Sequence, residues 1–99
     1  MKNDTYQYPL NFDWTTEEII VVMKFYENIE SVYEKEILRE NLMESYRAFK
    51  QIVPSQAEEK QLDKQFEKAT TYSIYKAMKK CKEAENGTKI YIKDEIAKG

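Results

Sequence analysis

Three carboxylates recur at four-residue spacing in the second half of the chain: Glu59, Asp63 and Glu67. On a helix this spacing places all three along one side. Two carboxylates in a shielded cleft can bind Mg²⁺ or perform glycosidase-type acid–base chemistry, so a carboxylate-metal enzyme is one hypothesis. Lysines interleave with the row, however, which is typical of a solvated face that pairs with itself. We therefore predict no metal site and no cofactor.

A lysine cluster, Lys76, Lys79 and Lys80, is the second group that could do chemistry. Such a face can follow a phosphate backbone, which makes a nucleic-acid accessory role another hypothesis. Lysines near the C-terminal end of a helix also complement its dipole, which needs no ligand. Since the 16 basic and 18 acidic residues give a formal net charge of −2, the overall charge does not favour nucleic acid.

The sequence lacks the residues on which most kinds of catalytic site depend. The chain has no histidine, which excludes the commonest general base, the commonest zinc ligand and every Ser-His or Cys-His pair. Its only glycines are Gly87 and Gly99, so Gly-rich phosphate-binding loops are excluded as well. The single cysteine, Cys81, falls on the apolar face of a predicted helix and should be a buried thiol. We predict that the protein is not an enzyme.

Aromatic side chains concentrate ahead of the first predicted helix, in YQYPLNFDWTTEE. Three of these aromatics either pack over the helices and cover them, or form an exposed patch that binds another protein: Tyr6, Tyr8 and Phe12. The leading hypothesis is a small non-enzymatic protein–protein interaction or regulatory module that binds another protein or its own copy. Its predicted binding residues are these three aromatics, with a second patch at Lys76, Lys79 and Lys80.

Four helices should position these groups. The first is predicted over residues 16–33, because Thr15 and Glu18 form a capping box ahead of a wide apolar stripe. The second stops at Pro54, and Ser55 caps the third. The fourth follows residues 70–73, reaches about residue 85 and ends at Asn86-Gly87.

The composition favours one all-α domain, a compact bundle or irregular array of four helices with an aromatic N-terminal arm. Hydrophobic residues make up 41% of the chain, and two Gly and two Pro leave little material for hairpins. The domain is predicted over residues 1–87. Residues 88–99 are expected to be a partly disordered C-terminal tail, since a strand at Ile90 and Ile92 would have no obvious partner.

Location and assembly follow from hydropathy and charge. The N-terminus lacks the apolar stretch of a signal peptide and no run of 18 apolar residues occurs, so we expect a cytoplasmic protein without a membrane span. Residues 1–50 carry 6 basic and 10 acidic groups (−4), whereas residues 51–99 carry 10 and 8 (+2). This asymmetry is consistent with head-to-tail or antiparallel self-association, and so with a homo-oligomer. It is equally an ordinary variation of surface charge, because exposed charges are largely screened beyond about 8–10 Å.

Three strings, YQYPLNFDWTTEE, YRAFKQIVPSQAEEKQLDKQFEK and YSIY, resemble the YktA-like family of small proteins from low-GC Gram-positive bacteria. The resemblance spans about Tyr6 to Glu85. It implies a helical bundle of about four helices in a cytoplasmic bacterial protein, and it implies no catalytic residue or cofactor. The family often has Gly where this chain has Thr71, which suggests a positive φ angle and a strained threonine there.

Overall fold

The computed structural model describes residues 8–93, and it confirms the all-α prediction. The helices are α1 (Thr16–Glu34), α2 (Arg39–Ile52), α3 (Gln56–Thr70) and α4 (Ile74–Glu83), and the strands are β1 (Ile37–Leu38) and β2 (Lys89–Ile90). Within the described range, no helix is both long and apolar enough to cross a membrane.

Side-chain caps start three of the helices. The Thr15 hydroxyl accepts from the Glu18 amide at 3.1 Å, and the Glu18 carboxylate accepts from the Thr15 amide at 2.9 Å, which confirms the capping box. The Ser55 hydroxyl accepts from the Glu58 amide at 3.2 Å and begins α3. The Ser73 hydroxyl accepts from the Lys76 amide at 3.1 Å and begins α4.

Thr71 ends α3 in the left-handed conformation, with φ of 69°. Its amide donates to the Glu67 carbonyl at 2.7 Å, which satisfies one of the last free carbonyls of the helix. A branched side chain is strained at this φ, so the Gly expected from the family pattern would fit the backbone better.

An aromatic cluster forms the centre of the core. Phe25 stacks on Phe49 at 4.6 Å between ring centroids, and Tyr26 lies 4.9 Å from Phe66. All four rings are fully buried, and they join α1 to α2 and to α3. The Tyr26 hydroxyl donates to the Pro9 carbonyl at 2.8 Å, which ties the N-terminal segment to the same cluster.

The segment after Gly87 corrects the expectation of an unpaired tail. β2 pairs with β1 in an antiparallel ladder, with Ile90 opposite Ile37, and Ile90 is fully buried. The Ile92 amide continues the contact by donating to the Val32 carbonyl at 2.8 Å. A partner was missing from the sequence prediction because β1 lies far away in the chain, between α1 and α2. Residues 94–99 lie outside the described residues.

The start of α2 also holds the end of α4. Arg39 donates from Nε to the Cys81 carbonyl at 2.9 Å and from Nη1 to the Asn86 side-chain oxygen at 2.8 Å. A carboxylate oxygen of Glu40 accepts from the Gly87 amide at 2.8 Å. These contacts satisfy polar groups that α4 leaves open at its C-terminus.

Candidate functional site

A groove of about 600 Å³ lies between α1 and α2, and we call it the Ile20 groove. Its walls carry residues from both helices: Ile20, Val21 and Lys24 from α1, with Asn41, Glu44 and Ala48 from α2. Ile20 is 62% exposed, although most of its apolar neighbours on α1 are partly or fully buried. The groove therefore presents a large apolar side chain to solvent on a rigid pair of helices.

The Ile20 groove exists because α1 has more apolar residues than the core can cover. Residues 19–22 are Ile-Ile-Val-Val, and four consecutive residues point in all directions around a helix. Val22 faces the core and is fully buried, whereas Ile20 lies on the far side. The small side chain of Ala48 on α2 leaves the space open beside it.

Hydrogen bonds connect residues of α1 and α2 that line the Ile20 groove. The Asn28 amide donates to the Ser45 hydroxyl at 3.0 Å, and that hydroxyl donates to the Leu42 carbonyl at 2.9 Å. Asn28 and Ser45 both line the groove. The two helices are thus connected by a hydrogen bond between residues that line the groove.

The two walls of the groove carry opposite charges. Lys24 stands on the α1 wall and Glu44 on the α2 wall, and both residues are exposed. Among residues 8–93, neither side chain takes part in an ion pair. Each wall therefore offers an uncompensated charge to whatever lies in the groove.

An adjoining hollow of about 430 Å³ extends this surface toward the N-terminal arm. It shares Ile20 and Lys24 with the groove and adds Leu10, Ile19 and Met23. Leu10 is 37% exposed, so the apolar surface continues from α1 onto the arm.

A second opening, of about 300 Å³, lies among α2, α3 and α4, and we call it the Asp63 cleft. Burial, and to a smaller extent the carboxylates of Glu59 and Glu67, raise the pKa of Asp63 to about 7, while Lys50 acts in the opposite direction. One carboxyl oxygen of Asp63, Oδ1, is buried without a hydrogen-bond partner in the described part of the chain. The Asp63 carboxyl is therefore partly protonated near neutral pH.

Glu59 is held by two contacts at the edge of the Asp63 cleft. Its carboxylate accepts from the Tyr46 hydroxyl at 3.1 Å and pairs with Lys50 at 2.6 Å. Lys82 lies over the Tyr46 ring, 5.0 Å from the centroid. Positive charge is thus already supplied by the protein on two sides of this cleft.

The carboxylate row does not assemble into a metal site within residues 8–93. No group of three or more His, Cys, Asp or Glu side chains in that range is arranged to hold a metal ion. Glu59 instead pairs with Lys50, and Asp63 lies apart in its own buried environment. This arrangement gives the carboxylate-metal hypothesis no structural support.

The predicted aromatic binding residues separate into different environments. Tyr8 lies 5.9 Å from Phe66 and 5.3 Å from Tyr26 between ring centroids, and its hydroxyl donates to Glu30 at 2.8 Å. Phe12 is 98% exposed. Tyr6 lies outside the described residues. Tyr8 therefore packs against the helices, whereas Phe12 is exposed to solvent.

The predicted lysine patch lies on the surface of α4. Lys76, Lys79 and Lys80 are all exposed, and Lys79 pairs with Glu83 at 3.1 Å. Tyr72, just before α4, is stacked on Tyr33 at 4.6 Å between ring centroids. The nucleic-acid hypothesis stays a prediction.

Cys81 is fully buried, as its position in the sequence indicated. Its sulfur donates to the Arg39 carbonyl at 3.6 Å, and burial raises the pKa of the thiol. A thiol with a raised pKa is a poor nucleophile at neutral pH.

Comparison with known proteins decides the family. The sequence profile of UPF0223, described as an uncharacterised protein family, matches residues 5–90. The chain belongs to the UPF0223 family. The YktA-like resemblance is thereby confirmed, since UPF0223 protein YktA of Bacillus subtilis is 49% identical over 81 residues, 82% of this chain and 92% of the relative.

Other UPF0223 relatives come from the same group of bacteria. A UPF0223 protein of Bacillus mycoides is 58% identical over 78 residues, covering 79% of this chain and 88% of the relative. One from Streptococcus uberis is 47% identical over 85 residues, covering 86% and 92%. The part of the chain that matches the UPF0223 profile includes both walls of the Ile20 groove and the Asp63 cleft.

Sequence reasoning missed the Ile20 groove in this UPF0223 chain. The sequence predicted a wide apolar stripe on the first helix, whereas the structure leaves Ile20 62% exposed. The signal was the run of four apolar residues at 19–22, because a helix packed on one side cannot bury all of them.

Proposed function

We propose that this chain is a small protein-interaction module that binds an amphipathic helix of a protein partner in the Ile20 groove. The observation that carries the proposal is the 62% exposure of Ile20 at the rim of a rigid groove. Covering such a side chain contributes on the order of 1–2 kcal/mol to association. Apolar side chains exposed next to a concave surface are typical of binding sites.

The shape of the groove favours a helix as the occupant. Two packed helices leave a furrow between their side-chain ridges, and a third helix fits there by placing its own ridge into the furrow. Recognition of this kind uses apolar side chains at positions i, i+3 or i+4, and i+7. The matching partner thus carries one apolar stripe about two turns long.

The charges of the walls define the flanks of that partner helix. An acidic residue on one side of the partner's apolar stripe would pair with Lys24, and a basic residue on the other side would pair with Glu44. Pairs of this kind contribute little affinity at an exposed rim, but they fix the orientation of the helix and exclude wrong partners.

This proposal keeps the class of function predicted from the sequence and moves its surface. Tyr8 already packs against Phe66 and Tyr26, so it has little surface left to offer. Phe12 is exposed and stays a predicted binding residue. We also infer a cytoplasmic location, which a fluorescent fusion in a Gram-positive host would test.

The test is site-specific photocrosslinking in the bacterial cell. A photoreactive amino acid replaces Ala48 in the groove, and a matched variant carries it at Gln65, an exposed position on α3. We expect a discrete protein adduct from position 48 only, and we expect Ile20→Lys to abolish it. Sequencing the crosslinked peptide should reveal an amphipathic helical segment with the charges described above.

Two results would overturn the proposed function. One is an equal adduct from positions 48 and 65, which would indicate random contact. The other is an adduct at position 48 that persists in the Ile20→Lys variant or maps to a segment without an apolar stripe. Circular dichroism of each variant confirms that the fold is retained.

A further inference from the structure

We propose that the Ile20 groove is covered by the same surface, formed by α1 and α2, of a second copy of this chain. In this arrangement a two-fold axis runs along the groove, and α1 of each copy lies over α2 of the other. The inference rests on the proposed function, because it uses the same groove and names its occupant.

The α1 helix supplies the apolar part of this surface. It is 19 residues long and places Ile20 on its outer face, next to the partly buried side chains of Ile19 and Val21. Met23 and Leu10 extend this apolar surface beside the groove, and a copy of the same surface can cover it. In a two-fold contact each residue is used twice, so two copies of Ile20 are covered by one association.

The charges of the two walls match when the surface meets its own copy. The α1 wall carries Lys24 and the α2 wall carries Glu44, and neither is paired elsewhere among residues 8–93. The two-fold axis brings the α1 wall of one copy onto the α2 wall of the other. Lys24 then faces the wall that bears Glu44, and the same pairing occurs a second time by symmetry.

A second copy is favoured over an unrelated helix by this self-complementarity. Any other partner has to supply an acidic flank for Lys24 and a basic flank for Glu44 in the correct order. The chain already contains both, at the required places, on the surface that carries the exposed apolar residue. Closed two-fold dimers are also the commonest form of soluble homo-oligomer.

The test is sedimentation velocity of the purified full-length chain from low to high micromolar concentration. We expect a reversible monomer–dimer equilibrium for the unchanged chain. Lys24→Glu places two acidic walls against each other, and Glu44→Lys places two basic walls against each other. Each single variant should therefore raise the dimer Kd about tenfold.

Two further samples test the two-fold geometry directly. An equimolar mixture of Lys24→Glu and Glu44→Lys should restore dimers, now containing one chain of each kind, because acidic walls meet basic walls at both pairings. The double variant with both reversals should dimerise by itself. As a matched control, Lys60→Glu changes an exposed lysine on α3 and should leave the Kd unchanged.

Each remaining outcome is decisive. A chain that stays monomeric at every concentration overturns the second copy as occupant. A dimer insensitive to both reversals, or not restored in the mixture, places the contact elsewhere and overturns the proposal too. The photocrosslinking test detects any protein that binds in the groove, whether or not it is a second copy. A chain that stays monomeric but gives a specific adduct at position 48 would therefore still support the proposed function.

Discussion

The protonation of Asp63 makes the stability of the fold depend on pH. Its pKa rises from 3.8 to about 7 in the folded chain, chiefly through burial and then through Glu59 and Glu67. Between these two values the folded state holds a proton that the unfolded state has lost. This group therefore stabilises the fold most at low pH, and its contribution is lost as the pH rises toward 7.

The Asp63→Asn variant should remove this pH dependence. At pH 8 it eliminates a buried carboxylate, and we expect it to raise the free energy of unfolding by about 1–2 kcal/mol, an amount reduced by solvent screening of a half-buried group. At pH 5, which lies between the unfolded and folded pKa values, only part of this cost has arisen, so the difference between the two proteins should be smaller. Thermal melts followed by circular dichroism at both pH values measure the difference.

A matched variant controls for the general loss of an acidic residue. Glu67→Gln removes an exposed carboxylate from the same helix and leaves Asp63 in place. It should lessen the slope of stability against pH without abolishing it, because burial is the main cause of the Asp63 shift. An unchanged slope in Asp63→Asn would contradict the assignment.

Thr71 and Gly87 both occupy backbone conformations with positive φ, 69° and 89° respectively. The left-handed region disfavours a residue with a Cβ atom, so Thr71→Gly should stabilise the fold by about 1 kcal/mol. Gly87→Ala should destabilise it by a similar amount, although nothing lies within 4 Å of the added Cβ. Urea denaturation of the two variants measures these opposite effects, and shifts of the same sign would argue against backbone strain as their cause.

At the scale of elements, the two-residue strand β2 contributes more than its length suggests. Ile90 is fully buried and pairs with Ile37, whereas its neighbour Tyr91 is 45% exposed. We expect Ile90→Ala to cost about 2–4 kcal/mol, since it leaves a cavity in the core. Tyr91→Ala is the matched control and should cost much less. Urea unfolding of both variants provides the measurement, and equal losses would show that β2 is not part of the core.

The helices were predictable where their signals are local. Thr15 and Ser55 each bond an amide three residues later, so the start of α1 and of α3 can be read from neighbouring letters. The start of α2 has no such signal, because Leu38 at its N-cap position makes no side-chain hydrogen bond. Pairing of β1 with β2 joins distant segments, and no local pattern reveals it.

The candidate site was less predictable than the fold, for a physical reason. Sequence patterns show which residues are apolar, but exposure depends on which neighbours happen to cover them. Tyr8 and Ile20 are both apolar residues near the start of the chain, yet only Ile20 remains largely exposed. Tyr8 is covered because Phe66 of α3 lies beneath it, a contact between segments 58 residues apart.

For the whole molecule, the charge difference between the two halves of the sequence and the charges on the walls of the Ile20 groove predict different assemblies. The acidic first half and basic second half suit head-to-tail or antiparallel self-association, and head-to-tail contacts can continue into open chains. The Ile20 groove favours a two-fold contact, which closes after two copies. Sedimentation at rising concentration separates them, because a closed dimer reaches a constant mass and an open chain does not.

The side chains of Arg39 and Glu40 reach the C-terminal end of α4, where they bond the Cys81 carbonyl and the Gly87 amide respectively. Helix ends usually fray, but the C-terminal end of α4 is held by contacts with the first turn of α2 and with the neighbouring pair of strands, β1 and β2. In hydrogen–deuterium exchange, the amides around residues 37–40 and 84–90 should therefore show similar protection factors, because one opening event exposes both segments. Opening of this end of α4 then requires it to separate from the first turn of α2.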